Sequence, residues 1–222
     1  MSFNYTNCEN KELCANCGMC CIKCGCDYFP PDFEKIDIET VERILDDGRT
    51  SIIAYLIFKE IKGKLIIDPM LYLRARNIYR PEIDLLSLKT SCASLEDDGC
   101  HFSIEERPSG GALLIPRPNL ECYYEIDRDA EMQKWQKYQK VLQRVVKRRT
   151  GKSLHEKLKE DAENLFLAIL NKEYDGVSNR ELKDIKEILR DLANVYPNEF
   201  ENAIERHEKT GPYRVRNIKN PK

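Results

Sequence analysis

The chain has 222 residues, with 36 Lys and Arg against 38 Asp and Glu, 41% hydrophobic residues and a formal net charge of −2. A chain of that length buries roughly 70% of the surface its unfolded form exposes, so a packed core needs no disulfide staples. No apolar run approaches the ~20 residues of a membrane-spanning helix, and the composition is that of a globular protein with no membrane partner.

Charge and sulfur are unevenly shared. Residues 1–125 carry 14 Lys and Arg against 21 Asp and Glu, residues 126–222 carry 22 against 17, and all ten cysteines lie at or before Cys122. Two regions are expected: a cysteine-cluster metal-binding domain over 1–125 and a helical, mildly basic lobe over 126–222 packed on it. Met1 to Leu13 is polar and lacks the basic and apolar regions of a secretory signal. The expected compartment is therefore the reducing cytoplasm, where cysteines remain thiols or metal ligands.

Residues 8–31 read as a cysteine-rich loop closed by Pro30 and Pro31, and "CANCGMCCIKCGC" (14–26) places six cysteines in thirteen positions. Cys20 and Cys21 are adjacent and Cys24 and Cys26 are one residue apart, separations at which a disulfide is strained. Thiolates this crowded repel one another unless a cation sits between them, so metal binding is the expected use of the sulfur. "DIETVERILDDG" then predicts a helix, with Ile38, Val41, Ile44 and Leu45 on one face, Asp37 as cap and Gly48 as stop.

"TSIIAYLIFKEIKGKLIIDP" predicts a hairpin turning at Gly63, with a buried helix as the alternative for its first run, and "MLYLRARN" a separate half-buried strand. Cys92 and Cys100 follow, the latter after an Asp98-Gly99 turn signal. "HFSIEERPSGGALLIP" reads as two extended pieces around Ser109, Gly110 and Gly111. From Asp127 to Gly151 one helix is expected, carrying Met132, Trp135, Tyr138, Leu142, Val145 and Val146; Trp135 and Tyr138 read as core. Ser153 with Glu156 and Ser178 with Glu181 fit capping boxes, a further helix runs from Tyr196 to His207, and the tail from Gly211 is polar. The expected class is α+β: a small irregular cysteine-rich domain with short strands, then a helical C-terminal lobe.

Several metal patterns fit the sulfur. Cys14, Cys17, Cys20 and Cys24 have the CxxCxxCxxxC spacing of ferredoxin clusters. Cys17, Cys21 and Cys24 match the CxxxCxxC of radical-SAM enzymes, but the chain lacks the repeated strand–helix alternation of the barrel such chemistry requires. Cys14 and Cys17 also form half of a four-thiolate zinc site, for which Cys92, Cys100 and Cys122 offer a distant half. Ten sulfurs exceed what one four-coordinate ion needs. The cofactor expected is an iron–sulfur cluster or Zn, and spacing does not separate the two.

"CANCGMCC", Cys92 and "LEDDGCHFSIEERP" together resemble the YkgJ-like cysteine-cluster family, a zinc- or iron-chelating family related to the cysteine-rich part of flagellin lysine methylase. The resemblance covers residues 14–122 and falls on Cys14, Cys17, Cys20, Cys21, Cys92, Cys100, Arg107 with Pro108, and Cys122. It implies those cysteines as metal ligands. "SGGALLIPRPNLE" separates Cys122 from the Arg-Pro more widely than in many relatives. Cys26 joins as an eighth ligand, while Cys8 stands outside the pattern and Cys24 has no assigned role.

Among other residues, His101, His155 and His207 read as surface histidines. Arg74 and Arg76 share a strand face and, with Arg80 and Arg107, read as counter-charges to thiolates rather than as an anion site. The function expected is a cytoplasmic metal-binding protein, with an enzymatic role on an unknown substrate ranked second and no catalytic residue assigned. The alternative is a zinc-stapled module whose basic lobe, with Lys147, Arg148 and Arg149 at a helix end, engages a protein or, less favoured at a pI near 6.0, a nucleic acid.

Overall fold

Residues 20–21, 25–87, 91–97, 99–103, 105–115, 122–173 and 179–210 are described by the structure, a computed structural model. The helix α1 (Ile38–Asp46) forms where the apolar spacing predicts. Asp37 accepts the Thr40 N–H at 2.9 Å, and Val41 and Leu45 are buried.

A long hairpin follows, β1 (Thr50–Ile61) and β2 (Lys64–Ala75), paired antiparallel from Thr50 opposite Ala75 to Ile61 opposite Lys64. Lys62 (φ 53°) and Gly63 (φ 72°) both take left-handed backbone, the geometry of the two-residue turn whose twist matches that of the strands. This excludes the helical alternative for the first run. It also corrects "MLYLRARN": that stretch continues β2 rather than forming a separate strand, and residues 70–75 are buried on both faces rather than one.

Both hairpin edges are also taken towards its open end. Along the outer edge of β2, the Tyr28 N–H donates to Leu73 O at 3.0 Å and the Ala75 N–H to Cys26 O at 2.8 Å. Further along, the Gln139 amide accepts from Leu71 N and donates to Leu71 O, both at 2.8 Å, standing in for a strand residue. Along β1, Ile52 donates to Glu82 O and Ala54 to Leu85 O, which lays residues 82–85 beside it, with Ile83 parallel to Ile52.

A two-residue pair, β3 (Leu95–Glu96) with β4 (Gly99–Cys100), and one helical turn, α2 (Ser109–Ala112), complete the first part. The extended pieces expected around Ser109 are thus replaced at Ser109–Ala112 by a helical turn. Asp32 accounts for it, accepting both the Ser109 N–H and the Ser109 hydroxyl. The single helix expected from Asp127 is instead α3 (Arg128–Gln133), a 3-10 segment (Lys134–Tyr138) and α4 (Gln139–Thr150). The tightened turn lets two side chains reach the hairpin: the buried Trp135 donates to Tyr28 O at 2.9 Å, and Gln139 clamps β2.

α5 (Leu154–Leu170) starts at the expected Ser153–Glu156 capping box. α6 (Asn179–Val195) and α7 (Pro197–Thr210) follow, while Ser178 and the tail lie outside the described residues. α5 packs on α7, and α6 on both α7 and β2. One core runs through Phe29, Leu45, Ile52, Leu73, Trp135, Leu142, Phe166 and Leu192. The protein is mixed α+β, and among the described residues no helix is long and apolar enough to cross a membrane.

Candidate metal centre

Backbone pairing at the open end of the hairpin, beside Ala75, gathers cysteines from distant stretches. Beyond β2 the chain remains extended: Ala93 donates to Arg76 O and Ile78 to Ser91 O, both at 2.7 Å, and Asn77 bridges Cys92. The Cys92 N–H in turn donates to Cys21 O at 2.5 Å, while Cys26 is fixed beside Ala75. Leu95 pairs with Cys100, and the His101 N–H donates to Ser94 O at 2.8 Å, returning β4 to the same place. Cys21, Cys26, Cys92 and Cys100 are thereby carried on adjoining segments.

The thiols act on one another. Burial pushes the Cys26 thiol well above its ordinary range, and Cys92, Cys21, Cys100 and Asp27 add to it in that order. Cys92 is raised chiefly by burial, against the Ser94 N–H that approaches its sulfur at 3.4 Å. Two glycines make room. A Cβ on Gly111 would lie 2.8 Å from Cys26 Sγ, and one on Gly25 would lie 3.0 Å from Ala75 O and 3.4 Å from Cys92 Sγ. Any side chain at Gly111 would meet sulfur inside van der Waals contact.

A charged group flanks the sulfur. Asp27 is buried and is shared by Arg74, at 3.7 Å, and Arg128, which hydrogen-bonds its other oxygen. Tyr124 donates to Gly110 O; burial raises its hydroxyl, opposed by Arg128, while Asp27, Cys20 and Cys26 raise it further. Asp27, Tyr124, Arg128 and Gly111 were not singled out from sequence. The only available signal was that Asp27 directly follows Cys26, since none of the four belongs to an apolar period or a spacing motif.

Of the expected ligands, Cys20 is exposed, Cys21, Cys26 and Cys100 are half-buried and Cys92 is buried. The half-buried Cys122 stands beside the Ile115–Tyr123 bridge, whereas the influences on Cys26 come from Cys92, Cys21 and Cys100. Cys8, Cys14, Cys17 and Cys24 lie outside the described residues. Among the described residues no group of three or more His, Cys, Asp or Glu side chains is placed to hold a metal ion. The thiol donors suit a soft or borderline cation, but the described part alone does not close around one.

The remaining candidates have structural partners. His101 meets Glu96 at 2.8 Å, Arg76 donates to Arg80 O and Gly48 O, Arg80 pairs with Asp84, and Arg107 donates to Phe102 O. At the basic helix end, Arg149 faces Asp46, Glu82 and Glu42, and Arg148 faces Glu42. Those two cations are engaged by carboxylates of the same chain. Comparison of the chain with family models, with curated proteins and with solved structures yields no match.

Proposed function

We propose that the protein is a metal-binding protein in which thiolates of Cys21, Cys26, Cys92 and Cys100, joined by Cys14 and Cys17 and flanked by Cys20 and Cys122, hold zinc or an iron–sulfur cluster. One observation carries this reading: the Cys92-to-Cys21 backbone hydrogen bond joins segments about seventy residues apart, beside the buried Cys26 thiol on which Cys92, Cys21 and Cys100 act. Burial and neighbouring thiols disfavour ionisation of Cys26 and Cys92, and a cation removes both penalties by binding the deprotonated sulfur. When bound, the metal would cross-link the N-terminal loop to the extended chain beyond β2, making ion capture part of folding. The resemblance of residues 14–122 to the YkgJ-like family supports the same reading, which assigns no reaction.

Anaerobic purification with metal analysis and an absorption spectrum tests it. Iron with acid-labile sulfide, or zinc at one or more equivalents, is expected, and Cys26→Ser and Cys92→Ser should each lower the metal content. A wild-type protein purified without stoichiometric metal, or both variants retaining all of it, sinks the reading. The sulfurs would then be small apolar side chains of a packed interior.

A further inference from the structure

A cavity of about 430 Å3 lies beside β1, and its lining shows which part of the strand it borders. Ile53, Ala54, Tyr55 and Leu56 all reach it, although successive side chains of a strand point to opposite faces. A space bordered by both parities runs along the strand's edge. On that edge Ile52 and Ala54 donate to Glu82 O and Leu85 O, and the Asp84 N–H donates back to Ile52 O. The pairing ends there, because the Leu85 N–H turns to the Asp161 carboxylate of α5 at 2.9 Å. Past Leu85 the lane beside β1 continues as the cavity, walled by Leu165 of α5 and Ile188 of α6.

The main chain along this lane is ready to pair. The register is unbroken from Thr50 opposite Ala75 to Ile61 opposite Lys64, so the parity that turns Ile52 and Ala54 outward turns Leu56 and Phe58 outward as well. Both line the cavity, and among the described residues no hydrogen bond reaches that edge at either one. A row of outward N–H and C=O groups beside apolar walls is complementary to another extended strand. Arg74, the one charged residue in the lining, is paired with Asp27, so the side chains that enter must be uncharged and apolar. The same edge of a second copy does not meet that demand: paired about Phe58, it would lay Glu60 against Leu56, a charge on an apolar wall.

We propose that β1 takes up an extended peptide of a partner protein along Leu56 and Phe58, as an added strand that continues the lane of residues 82–85 and places alternate apolar side chains in the cavity. The site stands apart from the sulfur reading, because occupancy is measured without reference to metal content. Fluorescence anisotropy of the full chain with a labelled peptide of alternating threonine and valine tests it, alongside two versions N-methylated at alternate residues. The parent peptide should bind with a dissociation constant below about 1 mM. One N-methylated version should keep that affinity and the other lose at least about tenfold, because only one row of a strand's N–H groups can face β1. In hydrogen exchange followed by NMR, saturating peptide should slow the Leu56 and Phe58 amides at least about tenfold. Ile188→Trp, at a position 42% exposed, should lower the affinity at least about tenfold with the melting temperature unchanged, as expected of a blocked apolar site. Undetectable binding, equal affinity of the two N-methylated versions, unchanged exchange at Leu56 and Phe58, or wild-type affinity in Ile188→Trp overturns the proposal. So does a dimer in sedimentation equilibrium whose Leu56 and Phe58 amides are already slowed without peptide.

Discussion

The two sides of the hairpin are ordered by different means. On the helical side, α4, α5, α6 and α7 bury Leu142, Val145, Phe166, Leu192 and Ala203, α5 begins at a capping box at Ser153, and Arg149 of α4 is tied to three carboxylates. On the sulfur side, β3, β4 and α2 are two to four residues long, and order comes from single backbone hydrogen bonds such as Cys92 to Cys21 and Gly110 to Asp27. Area burial of about 25 cal/mol per Å2 suffices for the first side. The second has little apolar area to spend, so a cross-link is where its stability should come from.

Trp135 joins the two sides, with its ring in the core and its N–H on Tyr28 O. Trp135→Ala is the strongest way to break the comparison, with an expected loss of about 4 kcal/mol in urea unfolding. Both sides should lose hydrogen-exchange protection together. If the helices stay fully protected while residues 26–33 open, the two sides are independent units.

Next in size is a pH effect confined to the helical side. Burial pushes the Asp161 carboxyl up to about 6, although Lys157 and the Leu85 N–H oppose it. The folded state therefore holds this proton more tightly than the unfolded chain, whose value is 3.8. The contribution is complete below pH 4 and is lost as pH rises towards 6, amounting to up to about 3 kcal/mol. Asp84, raised in the same direction by burial, adds to it. Subtracting the stability–pH curve of Asp161→Asn from that of the wild type should leave a fall across this window. A flat difference removes the effect.

A smaller effect sharpens the other half. Gly110→Ala would place a Cβ 2.5 Å from Asp27 O and 2.9 Å from Asp27 N, where backbone must move. An expected loss of about 2 kcal/mol should appear first as exchange at residues 26–28, with α5–α7 unchanged.

Much of the helical side was legible because its signals are local. Asp37 and Ser153 cap the helices they were read to cap, and Gly63 turns the hairpin. The break at Lys134–Tyr138 was not legible, because it serves Gln139 and Trp135, whose partners Leu71 and Tyr28 are far away in sequence. Nor was the burial of both β2 faces, which depends on α4 and α6 packing on the strand from far along the chain. At the candidate site the cysteines announce themselves through spacing, whereas Asp27, Arg128, Tyr124 and Gly111 do so only once the chain is folded. Arg74 was read as a counter-charge. It pairs with the carboxylate of Asp27, a partner the sequence reading did not give it.

The occupied outer edge of β2 also bears on association between molecules. An open strand invites a second copy to extend the sheet. Here Leu71, Leu73 and Ala75 already spend their outward groups within the chain. Towards the turn the same parity brings Pro69 to the edge, a residue with no N–H to give, and Lys64 and Asp68 place opposite charges on exposed positions. Strand-to-strand aggregation is thus blocked chemically along one half of β2 and by occupancy along the other.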